Sequence, residues 1–234
     1  ASNVMVSAVF AVAFSQQYHL VTDANQLIAG RTYLIVNTNA GKALGTTQNN
    51  NNRNAVDVSV SDGVISAISE TVCELTLGAV GGNWTFFDAN WGTNGGYLYA
   101  ASSSSNILKT QATNDANGQW SISFSNGSAT IQAQGSNTRN LLKYNSSATI
   151  FSCYASGQQD VQLFIRGEEF IHTESESIAQ LLPFDKHTVQ SGVTLTVTGA
   201  ANCNEPSYLI LEDGAQFIHN ADGVQATMKK NIEG

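Results

Sequence analysis

The sequence has little charge. Of its 234 residues only 12% are Asp, Glu, Lys or Arg, about half the ~25% usual in globular proteins. The polar surface must therefore come from Asn, Ser, Thr, Gln and Gly, as in many secreted all-β proteins. Bases are scarcest, 10 against 18 acids, for a formal charge of −8. No Lys/Arg cluster occurs beyond Lys229–Lys230. Nucleic acid and anionic membrane surfaces select clustered cations, so neither is expected as a partner.

Motifs for metals, cofactors and catalysis are missing too. Cys73, Cys153 and Cys203 are widely spaced with no CxxC, which argues against a zinc site. They read as buried small hydrophobes. His19, His172, His187 and His219 form neither HxH nor HExxH. GxGxxG, P-loop and GxSxG patterns are absent. Neighbouring acids such as Glu168–Glu169 or Glu212–Asp213 would face opposite sides of a strand, unlike the paired carboxylates of a glycosidase. Asp185, His187 and Ser191 are close in sequence, but a triad is a constellation in space. No catalytic residue, metal or cofactor is expected.

The longest apolar run, "VSAVFAVAFS", is about ten residues, too short to span a membrane. Membrane insertion of the mature chain is not expected. Residues 1–17 read in two ways. Ala13 and Ser15 before Gln16 suit the end of a signal peptide. Val4, Val6, Ala8, Phe10 and Val12 alternate as in a stray strand.

Nothing reads as a long helix. "DANQLIAG" offers the best helical turn, with Asp23 to cap it and Gly30 to end it. Elsewhere short β-rich runs alternate with Asn/Gly/Ser turns, the pattern of an all-β chain. Over residues 18–166 the runs fall into three copies. Copy one carries "YLIVN", "KALGTTQ", "AVDVSV" and "CELTL". Copy two carries "WTFFDA", "GYLYAA", "NILKTQ" and "QWSISF". Copy three carries "ATIQAQ", "NLLKYN", "TIFSCYA" and "VQLFI".

Three four-stranded copies predict a β-trefoil-like barrel: six strands close the barrel and six form hairpins that cap it. Equivalent points should hold large apolar residues. Leu44, Leu98 and Leu141 form one such set, and Leu75, Trp120 and Leu163 another. Trp84 and Trp120 are expected in the core. "NDANG" then reads as a turn joining two strands of copy two. A calcium loop of the EF-hand kind would need a Glu at its twelfth position, where Asn126 stands.

Residues 167–180, with the polar and acidic "HTESES", read as a linker. Residues 181–234 hold short alternating strands, "SGVTLTV" and "EDGAQFIHN" among them, separated by Gly turns. They predict a partial β-solenoid or a small β-sandwich, incomplete as a stack.

Several stretches carry a resemblance. "VTDANQLIAGRTYLIVN", "NDANGQWSI" and "NLLKYNSSATIFSCYASGQQDVQLF" resemble an accessory module of large secreted proteins of Bacteroidetes. "SGVTLTVTG", "LILEDGAQFIHN" and "ATMKKNI" resemble a segment near the C-terminal region of surface proteins in that group. The resemblance implies a secreted or cell-surface location, an accessory role and further domains in the same polypeptide. It supplies no catalytic residues.

Binding is the chemistry the residues support. A sugar has apolar C–H faces ringed by hydroxyls, so its sites combine an aromatic ring with hydrogen-bonding side chains. "DANWGTNGGYLY" offers Asp88, Asn90, Trp91 and Asn94, with Trp91 in a Gly/Asn turn. "LKYNSS" offers Tyr144 and Asn145. The expected role is a non-catalytic module that binds glycan or mediates adhesion. The alternatives are a structural spacer that presents other domains, and a fragment of a secreted hydrolase.

Overall fold

The computed structural model describes residues 14–230. Most of the reading of 1–17 thus falls outside the described residues. Phe14 lies inside them and packs edge-on against Tyr208 at 6.0 Å. The chain is nearly all β and divides into two units, one of residues 17–166 and one built on residues 167 onward.

The first unit opens with β1 (Tyr18–Leu20). A single 3-10 turn, Ala24–Gln26, follows. Asp23 caps it in a capping box, and Leu27 ends it before Gly30. Copy one supplies β2 (Thr32–Asn37), β3 (Lys42–Gln48), β4 (Arg53–Asp57), an added β5 (Val64–Ile65) and β6 (Leu75–Val80). Copy two supplies β7 (Asn83–Asp88), β8 (Gly96–Ala100), β9 (Leu108–Gln111) and β10 (Trp120–Ser125). Copy three supplies β11 (Ser128–Ala133), β12 (Leu141–Asn145), β13 (Ile150–Tyr154) and β14 (Gln162–Arg166).

Pairing follows the trefoil plan. β2, β6, β7, β10, β11 and β14 form an antiparallel ring. It closes through the bridge Ala129↔Val161, with Ala129 N donating to Val161 O at 2.7 Å. Closure leaves no barrel edge to recruit another chain. The hairpins β3–β4, β8–β9 and β12–β13 form the cap, where β4 meets β13. β1 and β5 lie outside this scheme: β1 pairs with β14, and β5 with β1.

The ladders correct two registers. Leu44 pairs with Ala55, Leu98 with Thr110 and Leu142 with Cys153, so Leu142 completes the first apolar set. Leu141 instead takes the place of Ala43 and Tyr97, and it is only half-buried. In the barrel, Leu75 faces Tyr33, Trp120 faces Trp84 and Val161 faces Ala129, so Val161 rather than Leu163 completes the second set. Trp120 is fully buried, edge-on to Phe86 at 6.3 Å, with Nε1 donating to Leu98 O at 3.3 Å. Trp84 is not core. It is half-buried beside the Gly81–Gly82 turn that joins β6 to β7.

The second unit is built of parallel ladders, the mark of a solenoid and not of a sandwich. One sheet stacks β15 (Glu169–His172), β17 (Lys186–Val189), β19 (Leu209–Leu211) and β21 (Thr227–Met228). The other stacks β16 (Glu176–Ile178), β18 (Thr194–Val197) and β20 (Gln216–Ile218). The expected linker over 167–180 therefore carries the first rung. Its acidic side chains face outward while His172 is buried, and that polarity mimics a linker. Successive rungs turn at Gly192 (φ 77°) and Gly214 (φ 80°), in the left-handed region that glycine adopts freely. Ser191 Oγ donates to Asp213 O, so these two turns stack. Val189, Leu195, Val197, Leu209 and Leu211 fill the interior.

Candidate functional site

β7 ends at Asp88 and β8 begins at Gly96, with Asp88 paired to Gly96. The turn between them holds the candidate aromatic. Asp88 is not a ligand group: it is 2% exposed. Its Oδ2 lies 2.7 Å from Arg53 Nη2, an ion pair buried on both sides. Its Oδ1 accepts the Asn90 backbone N–H at 3.0 Å, and its carbonyl accepts that of Trp91 at 3.4 Å. The Asx turn thus starts from a buried carboxylate and presents Asn90 outward.

Trp91 is half-buried, and its ring lies against Gly96. A Cβ at Gly96 would come within 2.5 Å of ring atom Cε3, so only glycine leaves room for the indole. Asn90 and Asn94 are exposed. Asn90 lines a cleft of about 320 Å³ with Ile68, Ser69, Glu70, Val72 and Glu74. The opposite wall comes from residues 58–74, the connection from β4 to β6. The corresponding connections are shorter, 112–119 and 155–161.

Glu74 is fixed at the floor of this wall. Its Oε1 accepts from Arg166 Nη1 at 3.0 Å and from the Tyr18 hydroxyl. Burial, then the Glu74 carboxylate, pushes the Tyr18 phenol well above its ordinary value. Cys73, between Val72 and Glu74, accepts from Arg53 Nη2 at 3.0 Å. Burial pushes its thiol up to about 12. The cleft therefore joins an apolar wall (Ile68, Val72) to carboxylate, hydroxyl and amide groups.

Tyr144 and Asn145 do not join this site. Tyr144 is buried against Phe151, rings 5.2 Å apart. Asn145 Nδ2 donates to the Tyr154 hydroxyl at 3.0 Å, and its Oδ1 accepts the Ala148 N–H at 3.2 Å. Both hold copy three's own hairpin. Of the six residues singled out in the sequence, Asn90, Trp91 and Asn94 share the exposed turn, and Asp88 anchors it from below.

"NDANG" is a capped turn. Asp115 accepts from the N–H groups of Asn117 and Gly118 at the 3-10 turn Ala116–Gly118. Among the described residues no group of three His, Cys, Asp or Glu is placed to hold a metal. Ser191 donates to Asp213 and not to His187. His187 Nδ1 lies 2.9 Å from His172 Nε2, the two ring planes within 5° of parallel. Glu176 Oε1 lies 2.7 Å from His172 Nδ1. His187 is thus a buried member of a His–His–Glu chain.

No family model and no curated protein matches the sequence. Among solved structures, the chain is similar to a GlcNAcα1-4Gal-releasing endo-β-galactosidase from Clostridium perfringens, at 16% identity and a TM-score of 0.45, over 57% of this chain and 32% of that one. It is similar to the lysenin pore at 14% identity and a TM-score of 0.40, over 60% and 46%. It is similar to the Macrolepiota procera ricin B-like lectin in complex with lactose at 20% identity and a TM-score of 0.37, over 59% and 88%. The chain thus spans less than half of the first two. All three scores lie below 0.5, and the fold assignment rests on the strand ladders.

Proposed function

We propose that the trefoil unit is a non-catalytic glycan-binding module of a secreted or cell-surface protein, acting beside further domains of the same polypeptide. The observation that carries this reading is the turn at 89–95. It presents an indole on glycine and, next to it, an amide that lines a cleft with hydroxyl, carboxylate and aliphatic neighbours. An aromatic face with adjacent hydrogen-bonding groups matches the two surfaces of a sugar ring. A shallow site of this kind binds weakly, with Kd of about 1 mM, or roughly −4 kcal/mol.

Titration with neutral disaccharides (lactose, cellobiose and N,N′-diacetylchitobiose), followed by NMR, tests it. Saturable binding of at least one, abolished by Trp91→Ala and weakened by Asn90→Ala, is the expected result. Binding that survives Trp91→Ala would move the site elsewhere. The stacked rungs of residues 169–228 favour a second role for their own unit, as a spacer, because a solenoid extends by repetition of one contact.

A further inference from the structure

One buried cation ties together the two walls of the cleft. Arg53 is fully buried at the start of β4. Its Nε donates to Gly45 O at 3.0 Å and its Nη1 to Thr110 Oγ1 at 2.9 Å. Its Nη2 donates both to Cys73 Sγ, at 3.0 Å, and to Asp88 Oδ2, at 2.7 Å. Cys73 lies between Val72 and Glu74 of one wall, and Asp88 holds the N–H of Asn90 in the other.

The trefoil contains its own control for this arrangement. By ladder register, Arg53 of copy one corresponds to Leu108 of copy two and Phe151 of copy three, both fully buried. Asp88 of copy two corresponds to Asn37 and Ala133, also buried. Where Leu108 and Ala133 occupy the paired positions, the same cap is built without charge. The fold does not require an ion there. A buried ion pair is in any case poor at stabilising a fold, because desolvation offsets its attraction. The charged version occurs only where the long 58–74 connection meets the Trp91 turn.

We propose that Arg53 is the positioning residue of this cleft: through Cys73 and Asp88 it sets the distance between the wall at 68–74 and the turn that carries Asn90 and Trp91. The proposal rests on the glycan-binding reading for its purpose, but its geometry can be read without any glycan.

The test labels the tryptophans with 5-fluorotryptophan and assigns the Trp91 resonance by its loss in Trp91→Phe. The variant is Arg53→Leu with Asp88→Ala, which installs the Leu108–Ala133 pair found between copies two and three and leaves no orphan charge. The folded double variant is expected to shift or broaden the Trp91 resonance, to leave that of Trp120 in place, and to lose at least ten-fold in affinity for the best-binding disaccharide of the panel. Asp88→Asn is the second variant. An amide has one oxygen, so it can hold Arg53 or the Asn90 N–H but not both, and the Trp91 resonance should again move. An unmoved Trp91 resonance in Asp88→Asn, or in a folded double variant, would overturn the proposal. A moved resonance in a protein whose wild type binds none of the disaccharides would keep the positioning role and reject the glycan reading.

Discussion

The two units satisfy the same β-strand requirements in opposite ways. The trefoil pairs antiparallel strands drawn from three copies and closes them into a ring, so its core is assembled from distant parts of the chain. The solenoid pairs each strand in parallel with its counterpart in the next rung, so its core is local. A ring fails as a whole when one member is lost, whereas a stack can open from one end. The comparison predicts where each unit is vulnerable. The largest effect is expected in the ring. Trp120→Ala should lower trefoil stability by about 3–5 kcal/mol, the range for large aromatic truncations. Denaturant unfolding followed by amide NMR would show barrel residues of all three copies lost together. A local effect confined to β10 would break the idea of a cooperative ring.

In the solenoid, Leu195→Ala removes a fully buried side chain between rungs. It should cost about 2–3 kcal/mol, the lower part of the Leu→Ala range, because an open stack relaxes more readily than a ring. Its effect should be graded along the stack. In hydrogen exchange the Lys229 N–H, which follows the two-residue strand β21 and donates to Leu211 O, should exchange before the Gln190 N–H, which donates to His172 O. Simultaneous exchange of the two would mean that the stack unfolds as one body.

A third difference, one of degree, lies in pH. Burial raises the thiols of Cys73, to about 12, and of Cys153, along with the Tyr18 phenol, in the trefoil, and the thiol of Cys203 in the solenoid. The neutral form fits the fold, so below an ordinary thiol value near 9 these groups leave stability unchanged. Above it the unfolded chain ionises first and binds fewer protons. Stability then falls by up to about 1.4 kcal/mol per pH unit for each of the two trefoil thiols, until the folded thiol ionises as well, and the phenol adds to the fall only above its own ordinary value of 10.0. The trefoil should therefore melt at steadily lower temperature above roughly pH 9. Cys153→Ala should reduce that slope. A flat melting profile to pH 11 would show that these thiols reach water in the folded state.

How much was legible follows from how local each feature is. The three copies show because each strand is short, apolar and bounded by its own turn. Register does not show where apolar residues run together. "NLLKYN" offers Leu141 and Leu142, and "VQLFI" offers Val161 and Leu163, and only the cross-strand partner decides. The solenoid's first rung was hidden because Glu174, Glu176 and Ser177 face solvent, as a linker's residues would. Asp88 sits in "DAN", a local turn signal, but its burial depends on Arg53, 35 residues away. The cleft wall had one trace in the sequence, the greater length of copy one, and no motif within it.

The smallest effect is expected at Trp91, and it sharpens the contrast within the trefoil between an indole in the ring and an indole in a turn. Trp120 is enclosed on all sides by the barrel. Trp91 is half-buried and rests on Gly96 in a turn already fixed by the Asp88 carboxylate and carbonyl. Removing the ring leaves those bonds intact, because they use the Asp88 side chain and backbone groups alone. It also opens no enclosed cavity, the main source of large truncation effects. Trp91→Ala should therefore change stability by less than about 1 kcal/mol, as surface substitutions usually do. The same change should remove disaccharide binding, since the stacking face is gone while Asn90 stays in place. The measurement is a pair of denaturation curves, Trp91→Ala against Trp120→Ala, with an NMR titration on the folded Trp91→Ala variant. If Trp91→Ala destabilises the trefoil as much as Trp120→Ala does, the indole is a structural plug over Gly96 and the glycan site lies elsewhere.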